Sequence, residues 1–302
     1  MVDLITRQDI DWSLVKGVSR SFYLTLRLLP RAIQSTVTLA YLLARASDTI
    51  ADNSAQAIAT RLQVLQTLRS LAQGAENIVI SLDKHQLRTS PAEQRLLEQL
   101  PDLLKQLKIH PDGIEIRQVW SLILEGQIFD LTHSFALPLS REQLDRYTFL
   151  VAGCVGKFWT QVCWKRIPRF ASLPIRRMEE LGIDYGKGLQ LINILRDRQE
   201  DASRGRIYLS QESVPESCVK ALQAMRAGAD YAAALRPPLL RYATVLPALI
   251  GVRTLELIRS ESGIIKISRA EVRRILIAAL PCLWNAQLVK RLVDSFTFRD
   301  LR

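Results

Sequence analysis

Residues 188–201 read Gly188-Leu-Gln190-Leu-Ile-Asn193-Ile-Leu-Arg196-Asp197-Arg-Gln-Glu-Asp201. Gln190, Asn193, Asp197 and Asp201 follow at spacings of 3, 4 and 4, which puts four oxygen-bearing side chains on one helix face. Leu191, Ile192, Ile194 and Leu195 fill the rest of the circumference. A surface helix has the opposite balance, so the segment predicts a helix buried on most sides whose polar stripe lines a cavity. A buried hydrogen-bond network is the alternative reading of the same stripe.

About half a chain earlier, Tyr41-Leu-Leu-Ala-Arg45-Ala-Ser-Asp48-Thr-Ile-Ala-Asp52 repeats the pattern, with Tyr41, Arg45, Asp48 and Asp52 at spacings of 4, 3 and 4. Its bland reading is an exposed face with an Arg45–Asp48 ion pair. With both stripes present a ligand becomes the better account, because carboxylates pressed together repel unless a cation sits between them. Hard oxygen donors that leave room for water and phosphate oxygens suit Mg²⁺ better than zinc. The expectation is two acidic helices opposed across an apolar pocket, holding divalent ions that bridge to diphosphate.

Helical periodicity dominates the rest. It predicts an opening helix through Leu14, Val18 and Phe22, then helices over 31–52, 55–73, 92–107, 111–136, 140–165, 174–201, 211–235, 238–260 and 268–293, with a loop over 74–92. Strand-like alternation is nearly absent, and there is no repeat, low-complexity tract or linker. A single all-α domain over 1–302 is the economical architecture.

Hydrophobic residues at 48% and charged residues at 24% of 302 allow a sizeable core and exclude a disordered chain. The net charge of +11 admits nucleic acid, an anionic membrane or a polyanionic substrate. Nucleic acid is disfavoured, since no basic region, zinc-finger spacing or aromatic–basic ladder occurs. Cys154, Cys163, Cys218 and Cys282 lack CxxC spacing and read as free thiols of a reducing, cytoplasmic setting. His85, His110 and His133 stand apart, without metal-ligand spacing. The N-terminus has no signal-peptide pattern, and the longest apolar run, Ile275–Trp284, is far below the roughly 20 residues of a membrane span.

Five segments in order, SRSF at 19–22, YLLARASDTIAD at 41–52, YTFLVAGCVG at 147–156, LQLINILRDRQED at 189–201 and GRIYL at 205–209, resemble the squalene/phytoene synthase family. The resemblance covers roughly residues 15–270. It implies an all-α isoprenoid-synthase bundle with a central apolar cavity, and head-to-head condensation of two isoprenyl diphosphates, farnesyl diphosphate favoured. It further implies Mg²⁺ on Asp48, Asp52, Asn193, Asp197 and Asp201, and diphosphate contacts from Ser19, Arg20, Ser21, Tyr41, Arg45, Gln190 and Arg196. Tyr147, which spacing alone does not single out, would take part in the proton loss that closes a cyclopropane. Gly153 and Gly156 would permit close approach of a helix or a ligand.

The DTxxD form of 48–52, and Lys266 with Arg269 in the segment Ile265–Val272, resemble the squalene-forming branch, where such a basic segment lies near the phosphates of NADPH. An ordinary solvated basic turn is the other reading of Lys266 and Arg269. Phytoene or dehydrosqualene synthesis without reductant, or an enzyme that stops at presqualene diphosphate, is the alternative within the family, and a catalytically dead scaffold is the alternative from another class. Thr148 and Leu150 depart from the aromatic or polar residues common beside the tyrosine, and the C-terminal anchor of eukaryotic squalene synthases has no counterpart. An oily product and a basic chain together predict peripheral contact with an anionic membrane.

Overall fold

The computed structural model describes residues 10–19, 23, 26–27, 29–75, 89–260 and 267–297. Helices joined by turns account for these residues, and no strand occurs among them beyond a lone antiparallel bridge between Ala171 and Leu235. The all-α expectation holds. The chain divides into two compact units, Met1–Thr132 and His133–Arg302.

The first unit contains α1 (Trp12–Ser19), α2 (Arg31–Ala51), α3 (Ile58–Ala72), α4 (Pro91–Glu98), α5 (Leu100–Ile109) and α6 (Gly113–Thr132). Helix α2 begins directly after Pro30, whose fixed φ suits a helix entry. Ile33, Thr36, Ala40, Leu43, Ser47 and Ile50 are buried at three-to-four spacing, and this side of α2 packs on α3 and α6. Its two hydroxyls are satisfied: Thr36 Oγ1 donates to Asp112 Oδ2 at 2.7 Å, and Ser47 Oγ accepts from Trp120 Nε1 at 3.3 Å. Fixing that face inward leaves Tyr41, Arg45, Asp48 and Asp52 on the opposite side. The single helix expected over 92–107 is instead α4 and α5, because Pro101 has no N–H to donate and its ring obstructs the preceding turn.

The second unit contains α7 (Arg141–Thr148), a π-helical turn (Phe149–Gly153), α8 (Cys154–Arg166), α9 (Ile175–Ser203), a 3₁₀ turn (Gln211–Ser213), α10 (Val214–Ala234) and α11 (Pro238–Arg259). It ends with α12 (Arg269–Ala279), a second 3₁₀ turn (Leu280–Leu283) and α13 (Gln287–Thr297). Helix α9 is the hub, packed on the π turn, α8, α10 and α11. A β-carbon on Gly156 would stand 2.0 Å from the carbonyl oxygen of Gly182, so α8 and α9 cross at backbone contact. Gly156 thus permits the close approach of a helix, and it also lines an apolar pocket. The helix expected over 268–293 breaks at Pro281, and Asn285 restarts it by accepting from the Gln287 N–H at 2.9 Å. All four cysteines are free and buried, and burial pushes the Cys154 thiol up to about 12, so these are inert core groups. Among the described residues no helix is long and apolar enough to cross a membrane.

Candidate active site

In the first unit the predicted residues gather around the free face of α2. Tyr41 Oη donates to the Val18 carbonyl at 3.2 Å, which ties the face to the end of α1 beside Ser19. Ser19 itself is buried, with its hydroxyl turned back on the Val15 carbonyl. One turn along, the Arg45 guanidinium is shared: Nη1 binds Asp48, and Nη2 binds Glu93 Oε1 at 2.6 Å. The Arg45–Asp48 pair of the bland reading therefore exists, but on a half-buried face rather than a solvated one. The Asp52 N–H reaches the Asp48 carbonyl at 2.9 Å, one helical turn apart, so both carboxylates project from the same side. Arg20 and Ser21 lie outside the described residues.

Glu93 was not anticipated. Its second oxygen accepts from the Ser90 N–H at 2.9 Å and completes a capping box at the start of α4, so the same carboxylate starts a helix and fixes Arg45. The Ser-Pro-Ala-Glu signature at 90–93 is readable locally; its reach to a residue 48 positions away is not.

In the second unit α9 carries Gln190, Asn193, Asp197 and Asp201 as a half-buried stripe, with Leu191, Ile192, Ile194 and Leu195 buried around it. Asn193 donates to Gln190 at 3.4 Å. Arg196 grips Asp197 with two bonds, Nε–Oδ1 at 2.7 Å and Nη2–Oδ2 at 2.5 Å. Each stripe thus has an arginine held on the first aspartate of its pair.

After α9 the chain turns at Gly205, whose φ of +76° a side-chain-bearing residue rarely adopts. The Arg206 N–H then binds the Asp201 carbonyl at 2.8 Å. Two residues further, Tyr208 stacks on Tyr147 with ring centroids 5.2 Å apart and the two hydroxyls 3.4 Å apart. Both rings are buried. The GRIYL segment therefore follows the end of the stripe and joins it to Tyr147 through Tyr208, a partner that spacing did not reveal.

Up the same face of α9, Gly182, Gly186 and Leu189 line an apolar pocket of about 350 Å³, completed by Val151, Trp159 and Tyr231 among others. Gly182, Gly186, Gln190, Asn193, Asp197 and Asp201 follow at spacings of 4, 4, 3, 4 and 4. One helix face is thus apolar in its first half and acidic in its second, the profile of a site for an amphiphile with an anionic head. Another cavity of about 350 Å³, lined by Leu144, Lys187, Gly188 and Leu191, lies on a different side of α9. Its rim carries the Arg141–Glu216 pair at 2.7 Å and Lys187 on Asp145, and no stripe residue lines either cavity. Arg269 is exposed at the first turn of α12, and Lys266 lies outside the described residues.

The electrostatics suit a cation. Burial, then the Asp52 charge, pushes the Asp48 carboxyl above its ordinary range against the pull of Arg45, although 43% of the side chain stays open. Burial, then Asp197, does the same to Asp201 against Arg206 and Arg204. Neither unit gathers three His, Cys, Asp or Glu side chains into a metal-sized cluster among the described residues. Each offers a carboxylate pair, which leaves coordination positions for water and phosphate oxygens as Mg²⁺ prefers.

A pH prediction follows. A carboxyl whose folded pKa is raised holds its proton more tightly when folded, so its contribution to stability falls as pH rises from the unfolded towards the folded value. A cation competes with that proton. Mg²⁺ is therefore expected to raise Tm at about pH 7.5 and to do so less at about pH 5. An equal shift at both, or none, would count against these carboxylates as ligands.

Residues 15–222 match the squalene/phytoene synthase family over more than half of the chain. This chain belongs to that family. Family members are prenyltransferases that bind isoprenyl diphosphates and use a divalent metal. A bifunctional lycopene cyclase/phytoene synthase of Phaeosphaeria nodorum is 30% identical over 67% of this chain and 34% of its own length, so the chain spans about a third of that relative. A presqualene diphosphate synthase of Rhodopseudomonas palustris is 28% identical over 72% of this chain and 67% of its own. The solved structure of TcSQS with the ligand E5700 has the same fold, with a TM-score of 0.76, 19% identity, and coverage of 95% of this chain and 89% of that one.

Proposed function

We propose that this protein condenses two isoprenyl diphosphates, farnesyl diphosphate by preference, head to head through a cyclopropylcarbinyl diphosphate, with squalene as the end product. The observation that supports it best is the face of α9, where Gly182, Gly186 and Leu189, which line an apolar pocket, are followed along the helix by Gln190, Asn193, Asp197 and Asp201. An isoprenyl diphosphate has the same division into greasy tail and anionic head.

Asp48 and Asp52 in the first unit, and Asn193, Asp197 and Asp201 in the second, would each hold Mg²⁺. When bound, the metal neutralises charge on the departing diphosphate. Arg45 and Arg196 sit on the first aspartate of each pair, and a diphosphate offers them a stronger bidentate partner, so both would turn to the leaving group. The apolar wall of the pocket keeps water from the allylic cation left when the C1–O bond breaks. The double bond of the second substrate attacks that carbon, and loss of a proton closes the cyclopropane. Tyr147, oriented by its stack on Tyr208, is proposed to position the group that loses this proton. In a second stage the C1–O bond of the cyclopropylcarbinyl diphosphate breaks, the second diphosphate leaves and the cation rearranges; NADPH, with Lys266 and Arg269 as proposed contacts, would quench that cation with a hydride.

The resemblance to the Rhodopseudomonas enzyme supports a second reading, in which the chain stops at the cyclopropyl diphosphate. Incubation with farnesyl or geranylgeranyl diphosphate and Mg²⁺, with and without NADPH, followed by mass analysis of the lipid extract, separates the readings. Squalene only with NADPH supports the first, the diphosphate intermediate under both conditions supports the second, and no diphosphate release under any condition refutes both. Tyr147→Phe is expected to lower formation of the cyclopropyl product with substrate binding unchanged. A parental rate would remove Tyr147 from the mechanism.

A further inference from the structure

Helix α12 turns Val272, Ile275 and Ala279 inward and presents Arg269, Arg273, Leu276 and Ile277 outward, with Leu280 of the 3₁₀ turn continuing the outer side. A solvated face would be polar along its whole length. Here the arginines occupy its first half and large apolar side chains the second: Ile277 is 67% exposed, Leu276 and Leu280 are exposed as well, and Trp284 follows at 80%.

This exposure is not that of a loose tail. Arg241, buried without a carboxylate partner among the described residues, donates to the carbonyls of Cys282 and Leu283 at 3.2 Å each and to that of Leu235 at 2.8 Å. It thereby locks the turn carrying Trp284 onto the start of α11. Tyr242 Oη holds the Leu276 carbonyl at 3.0 Å, and Val289 and Val293 are buried on α13 just beyond. The fold keeps the apolar side chains outside with a braced backbone.

The charge around the patch has one sign. Residues 269–284 contain three arginines and one acidic residue, Glu271, which is consumed by the α12 capping box and by Arg253 at 2.9 Å. Arg273 and Arg274 make no ion pair among the described residues. We propose that the outer face of α12 and the Leu280–Trp284 turn form an interfacial membrane-docking surface. Ile277, Leu280 and Trp284 enter the boundary of an anionic phospholipid bilayer, and Arg273 and Arg274 rest on its headgroups. Tryptophan with flanking arginines is the chemistry of that boundary. A second copy of the chain fits less well, because a few side chains fall short of the roughly 800 Å² per partner that a stable dimer buries. The inference uses none of the acidic faces and stands apart from the proposed reaction.

The test is flotation of the full chain with phosphatidylcholine vesicles, with and without phosphatidylglycerol. Binding is expected only to the anionic vesicles and to weaken between about 0.1 and 1 M salt, as the screening length shrinks from about 10 to 3 Å. The pairs Trp284→Ser with Ile277→Ser, and Arg273→Gln with Arg274→Gln, are each expected to lose about tenfold or more of that binding while keeping the parental melting temperature. Arg269 is left native because the nucleotide proposal falls on it. Failure of the parent to float, or parental flotation of the Trp284→Ser/Ile277→Ser variant, would overturn the assignment. So would light scattering showing that this variant turns a dimer into a monomer, which would give the surface to a second copy.

Discussion

Asp197→Asn is expected to lower diphosphate release by about a thousandfold or more while the protein melts as the parent does, and Asp48→Asn should behave alike. Asparagine keeps the size of the side chain and one acceptor oxygen but removes the charge. Without it the Arg196 fork keeps one neutral acceptor in place of two charged ones, and the stripe keeps a single carboxylate, Asp201, beside Asn193. The fold should survive because Asp197 and Arg196 are both partly exposed, and exposed ion pairs contribute about 0–1 kcal/mol. Pyrophosphate release measured beside a thermal melt separates the two effects. Parental turnover in either variant would remove the metal assignment, and a large fall in Tm would mean that the residue acts structurally.

The second large effect belongs to the core. Gly156→Ala is expected to destabilise the second unit by roughly 3 kcal/mol, a loss of about 6–12 °C in Tm. The new β-carbon would meet the Gly182 carbonyl oxygen at 2.0 Å, and a backbone atom cannot rotate away as a side chain can. Relief requires α8 and α9 to separate, and α9 carries both the apolar pocket and the acidic stripe. Activity should therefore fall with stability, unlike in Asp197→Asn. A Tm within about 2 °C of the parent would show that the crossing has slack.

Much of this was legible before any coordinates. Helices α2 and α9 stand out because apolar residues recur every three or four positions around a polar stripe, a local pattern that sterics translate directly into a helix face. The breaks at Pro101 and Pro281 do not show in the apolar period, which runs through both prolines; the missing N–H and the ring end the helix there. Glu93 and Tyr208 escaped for a different reason. Their partners, Arg45 and Tyr147, lie 48 and 61 positions away, and no local pattern encodes such a meeting.

The chain alone determined that it is all helix, that two faces each carry a pair of carboxylates one turn apart, and that an apolar stretch precedes the second pair. These follow from the helical repeat, which needs only neighbouring residues. Tertiary structure decided the rest: that glycines at 156 and 182 let two backbones touch, that Arg45 is divided between Asp48 and Glu93, and that Asp48 and Asp201 hold their protons more tightly than free carboxylates. Desolvation and close packing are set by atoms distant along the chain, and only the folded molecule brings them together.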